Sequence, residues 1–260
     1  MKERQIEAMY RARFDERRRA TEAMDTLYAE AAAGRDSANR AWLIAVAHPR
    51  IPGTLVRPTR EEAQAIFAQA EKIALGYSNR NGMHPLQNID RFNPRPGLRR
   101  WVAPNNATGA GSRWREAWAN VHHDGSVTLA AAIGGHRKSS DGNLDGWEVE
   151  ARGIEAGIAD FTALIRATAT ALHHGEYDVC VGVVWTGEQP LCVLTVDGMG
   201  YTYDGASTPL PTFTPVQSTI NAAAADTEFH RQVHQLAQDC VNQGGITHLH
   251  VIADPDQTEA

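Results

Sequence analysis

The stretch that most restricts the fold is residues 114–133, WREAWANVHHDGSVTLAAAI. Two strand-like runs flank Asp124-Gly125, a dipeptide that suits a two-residue hairpin turn because glycine tolerates positive φ. A hairpin commits its strands to antiparallel pairing, so the surrounding sheet is expected to be antiparallel. Trp42–Ala47 (WLIAVA) is short and almost continuously apolar, which predicts a strand covered on both faces. YDVCVGVVW followed by LCVLTVD predicts a second hairpin, turning at Thr186–Gln189, and GYTYDG adds a candidate short strand.

Elsewhere the apolar period becomes helical. Thr59-Arg60-Glu61-Glu62 is a capping box opening a helix with Ile66, Ala70, Ile73 and Tyr77 on one stripe. A third helix is expected from Gly153 to His174, with Ile154, Ile158, Phe161, Ile165 and Leu172 on one face. Gly175 would stop it, leaving His173 and His174 in the last turn, where imidazolium suits the dipole. Residues 227–252 read as a last helix and strand. Hairpins and helices in this order predict an α+β fold, with a largely antiparallel sheet and helices packed on one side. Residues 36–260 are expected to form that domain.

Residues 1–35 read as a long N-terminal connector helix. Met24, Leu27 and Ala31 make a stripe, but RARFDERRRA scatters arginines around the whole axis, as in a solvent-spanning helix. Its start has no N-cap residue, so it reads as the continuation of an earlier element. Residues 78–112 are rich in Asn, Gly and Pro and suggest no regular element, and 207–218 (STPLPTFTPVQS) reads as an extended, proline-punctuated crossing.

Charge is unevenly divided. Residues 1–140 carry 22 Lys+Arg against 14 Asp+Glu, whereas residues 141–260 carry 3 against 17. The halves are expected to attract one another, or the basic half to meet an acidic partner. No apolar run approaches the roughly 18–20 residues that cross a bilayer, and the charged N-terminus has no signal-peptide core, so no membrane partner and a cytoplasmic location are expected. Three cysteines make no disulfide framework. The hairpin register would put Cys180 and Cys192 on opposite faces.

Four histidines crowd FHRQVHQLAQDCVNQGGITHLHV. His230 and His234 are one helical turn apart, and His248 and His250 share a strand face, spacings that zinc can use. However, His234 lies about 110° from the apolar stripe of Phe229, Val233, Leu236 and Cys240. Leu249 and Val251 alternate with the other two. A helix packed on a strand with histidines on its flanks is the plainer reading; the four remain weak metal candidates. No HExxH, P-loop or nucleophile-elbow pattern occurs, no cofactor is indicated, and no pair of carboxylates stands out for acid–base work.

Arginines and aromatics interleave in residues 78–115. Arg99, Arg100, Trp101, Arg113, Trp114 and Arg115 are the candidates for nucleic-acid or anion contact, because guanidinium forks and aromatic faces suit phosphates and unstacked bases. The alternative is that these arginines pair with the acidic C-terminal half while the tryptophans tuck beneath them.

MYRARFDERRRA (9–20) and VHQLAQDCVNQGGI (233–246) resemble the region downstream of the DNA-binding domain in bacterial Schlafen AlbA_2-type proteins. These are described as helix-turn-helix or ATP-binding transcriptional regulators. The AlbA_2 domain itself is not in this sequence, so none of its functional residues carries over. The resemblance implies an accessory region that follows a nucleic-acid-binding domain, fused or separate. The leading expectation is a non-catalytic interaction module of a cytoplasmic bacterial regulatory protein. A nucleic-acid contact module using residues 78–115 is second, and a His-dependent metalloenzyme is third.

Overall fold

The computed structural model describes residues 21–51, 57–79, 83–107, 115–139, 142–196, 202–203 and 207–256. Its centre is the hairpin of β4 (Ala117–His122) and β5 (Val127–Ala132). The turn has three residues rather than two. His122 N–H donates to the Ser126 carbonyl at 2.8 Å, Gly125 N–H donates to the His122 carbonyl at 3.1 Å, and Gly125 takes φ +87. This is a type I turn closed by a glycine in the left-handed region. A Cβ at Gly125 would come within 2.3 Å of His174 Nε2, so the position needs glycine on two counts.

On β5 lies β1 (Trp42–Pro49), and on β1 lies β9 (Glu176–Val184). β3 (Arg100–Ala103) and β2 (Arg95–Gly97) extend the sheet beyond β4, and β12 (Val216–Asn221) extends it beyond β9. The order is β12-β9-β1-β5-β4-β3-β2, antiparallel throughout. β1 is central and buried on both faces, as its unbroken apolar run requires.

Three local expectations fail. Residues 78–112 contain β2, β3 and a 3-10 turn at Pro85–Gln87, elements too short for periodicity to reveal. β12 begins inside the expected proline-punctuated crossing. The second hairpin does not form. Both sides of β9 are occupied by β1 and β12, so β10 (Cys192–Val196) pairs instead with β8 (Glu148–Glu150) in parallel and with β11 (Thr202–Tyr203). All three thiols are free, with Cys180 and Cys192 in separate sheets. A short pair, β6 (Arg137–Ser139) and β7 (Gly142–Asn143), completes the strands.

Helices α2 (Arg60–Tyr77), α3 (Ala151–Leu172) and α4 (Asp226–Asn242) bury one face of the main sheet. The capping box is complete: Glu62 N–H donates to Thr59 Oγ1 at 3.1 Å, and Thr59 N–H donates to Glu62 Oε2 at 2.7 Å. α3 ends two residues earlier than expected, at Leu172, and His173, with φ 58, supplies the left-handed cap without glycine. His174 therefore lies beyond the last turn of α3 and packs edge-on against Tyr177, where burial lowers its imidazole pKa.

The other face is covered by α1, helical over residues 21–32. Its Met24, Leu27, Tyr28 and Ala31 meet Trp42, Ile44, Val46 and Cys180. This part of the first helix is a packed layer of the fold. Residues 11–20, expected to face water all round, lie outside the described residues.

Candidate functional site

The four histidines do converge on one cleft of about 620 Å³, together with Asn79 and Gln238. His230 and His234 stand on the flank of α4, half-buried; burial lowers the His230 imidazole pKa. The expected strand carrying His248 and His250 is instead an irregular segment whose β-type pairing is limited to a bridge between Ser78 and Ile252. Leu249 packs on the core and Val251 is buried, whereas His248 and His250 are exposed, so the alternation over 248–251 survives without the strand. Among the described residues no three imidazole, carboxylate or thiol groups come together as a metal cage.

What holds this segment is a residue that periodicity does not single out. Glu155, on α3 and fully buried, accepts the backbone N–H groups of His250, Val251 and Ile252 on Oε2 at 2.8, 2.6 and 3.2 Å. A turn further along, Asp160 does the same for the preceding connection. Its Oδ2 accepts Leu86 N–H at 2.7 Å and its Oδ1 meets His84 Nδ1 at 2.8 Å. His84 Nε2 donates to the Asn79 carbonyl at 3.0 Å, since a carbonyl can only accept. Burial lowers the His84 imidazole pKa, but Asp160 outweighs it and holds the ring above its ordinary value. These two carboxylates fasten irregular chain to α3; both Asp160 oxygens are occupied by imidazole and backbone, whereas Glu155 bonds through Oε2 alone and its buried Oε1 has no hydrogen-bond partner among the described residues. The available signal was the presence of acids inside the apolar run GIEAGIADFTALI.

The Arg/Trp candidates do not form one surface. Alternation along β3 sends Arg100 to the α1 side, where Nη1 meets Glu30 at 3.0 Å. Trp101 goes the other way, with its indole N–H donating to the Pro58 carbonyl at 2.8 Å. Arg99 sits exposed in the turn between β2 and β3 with φ 53. Arg115 is exposed at the segment's end, and Arg113 and Trp114 lie outside the described residues. Pairing with the acidic C-terminal half is also not what occurs here: Arg100 uses Glu30 and Arg91 uses Glu71 at 3.0 Å, both acids of the basic half. The halves are bridged elsewhere, by Arg50 to Glu176 and Asp178 at 3.1 and 3.2 Å.

One end of the main sheet gathers what remains. The β2–β3 turn leans on the β4–β5 turn through His123 N–H to the Arg99 carbonyl at 3.0 Å. Leu98, beside Arg99, is 87% exposed, and Ile51, just past β1 at the same end, is 81% exposed. Burial lowers the His123 imidazole pKa, and the charges of Arg57 and Arg99 lower it further. Neither arginine has an acidic partner among the described residues.

The same end carries a histidine–serine–aspartate set in the wrong order for hydrolysis. His48 Nδ1 lies 2.7 Å from Ser126 Oγ, and Ser126 in turn bonds Asp124 through its N–H and hydroxyl. A carboxylate only accepts, so the hydroxyl donates to Asp124 and receives from His48. In a catalytic triad the imidazole stands between serine and carboxylate and takes the serine proton. Here Ser126 is in the middle, fully buried, and pins the turn. No protein-family model, curated protein or solved structure matches this chain.

Proposed function

We propose that the chain is a non-catalytic interaction module of a regulatory protein, docking an acidic partner protein through the end of its main sheet. The observation that supports this most is the exposure of Leu98 and Ile51 beside Arg57 and Arg99, which have no acidic partner among the described residues. Large exposed aliphatic side chains set among cations suit a surface that combines apolar anchoring with charge steering. The Arg99 backbone is held by the turn itself, so less backbone freedom is lost on docking. A bacterial accessory region beside a nucleic-acid-binding domain, as the resemblance implies, would use such a surface to hold its neighbour. A photo-crosslinking residue placed at Leu98 in the cell should capture a protein, with capture lost on Arg99→Glu, whereas the same probe at Gln235 on α4 should capture nothing at comparable yield. Equal yields from both positions would refute the reading.

The second reading is contact with single-stranded nucleic acid, favoured by the adjacency of Arg57, Arg99 and His123. It requires log K to fall with log salt at about 0.7 per neutralised phosphate. Arg99→Ala should then lower the slope by nearly one such unit for all sequences alike, whereas Arg100→Ala, already paired with Glu30, should not.

A further inference from the structure

The two edges of the main sheet are built differently. The β2 edge is Arg95-Pro96-Gly97, three residues carrying a cation and a proline, which blunts it against pairing. The β12 edge is Val216-Gln217-Ser218-Thr219-Ile220-Asn221, six residues with no charge and no proline. Its outward groups follow from register. Ala222 N–H reaches back to the Gly175 carbonyl, and Arg50 N–H reaches the Glu176 carbonyl from the other side. Odd residues of β9 therefore bond β12, and the even residues 216, 218 and 220 of β12 answer them. The N–H and C=O groups of Gln217 and Thr219 point away from the sheet, and among the described residues nothing pairs with them. Gln217, Ser218 and Thr219 are all exposed.

We infer that β12 pairs antiparallel with β12 of a second copy of this chain, about a two-fold axis through Ser218, joining the two main sheets into one. In that register Gln217 faces Thr219 of the other copy, and the two such pairs exchange four N–H···O bonds. Position 215 faces position 221. Pro215 has no N–H to give, and the Asn221 N–H is already donated to Gln232 Oε1 at 2.8 Å. The two outward positions that cannot donate thus meet each other, and the ladder closes at both ends without stranding a donor. Charge agrees: in an acidic half of the chain, this strand carries no ionisable side chain, so self-pairing brings no like charges together.

Ser218 lies on the axis and faces itself in a non-hydrogen-bonded pair, where opposite Cα atoms are about 4.5 Å apart. Its substitution is therefore a symmetric test on an exposed site. Sedimentation velocity of the full chain should show the mass doubling as concentration rises from low micromolar to the highest soluble value. Ser218→Lys and Ser218→Glu should each stay monomeric with unchanged thermal unfolding, and an equimolar mixture of the two should dimerise again. A wild-type monomer throughout, undiminished dimerisation of either variant, or a mixture that stays monomeric would each overturn the inference.

Discussion

Replacing Glu155 separates two roles that a buried carboxylate can play. In Glu155→Ala the N–H groups of Val251 and Ile252, both buried, lose their acceptor, while His250 N–H is half-exposed and can turn to water. A stranded buried donor costs about 1–3 kcal/mol, so two near the middle of that range cost about 4 kcal/mol. Glu155→Gln keeps an oxygen at the same place. Burial raises the Glu155 pKa despite its three donors, so the folded state already disfavours the charge. The glutamine should consequently stay within about 1 kcal/mol of wild type at neutral pH. The sign on pH follows. A raised folded-state pKa makes the contribution of Glu155 fullest below its unfolded value of about 4.3, and it is lost as pH rises through the folded one. Glu155→Gln should flatten that component. Denaturant titration of both variants, with hydrogen exchange of amides 251 and 252, measures the contrast. Equal losses for alanine and glutamine, or wild-type protection of both amides in the alanine variant, would refute the reasoning.

Two further outcomes test the frame around the site. The His84 imidazole is held above its usual pKa by Asp160, so its contribution is present in full below about pH 6.5 and is lost as pH climbs through the raised value; His84→Asn should remove this component from the pH dependence of the denaturation midpoint. Gly125→Ala forces an alanine to φ +87 and drives its Cβ into His174, so the thermal midpoint should fall with a stability loss of about 2 kcal/mol, more than alanine at the unhindered Gly76.

Much of the architecture is determined locally and was legible in the sequence. The capping box at Thr59–Glu62, the apolar stripes of α2, α3 and α4, the unbroken apolar run of β1 and the Asp124-Gly125 turn each name their element through neighbouring residues alone. Two strands read as a hairpin, β9 and β10, shared the same local signals, yet partner choice is non-local: β9 found β12, a strand too polar and too close to prolines to announce itself. The site divides along the same line. Position in the sequence showed four histidines near one another and a segment rich in arginine. Only the folded chain set the histidines around one cleft without a common ligand point. Only it sent Arg100 and Trp101 to opposite sides of the sheet and left Arg99 beside Leu98 at its end. Glu155 and Asp160 make the point most sharply. Each looks like an acid misplaced on an apolar helix face until chain 95–97 residues or 74 residues away presents its backbone donors. A sequence specifies which side chains must leave water, but the partner that satisfies a buried polar group is chosen by tertiary packing, because the donors come from segments far apart along the chain.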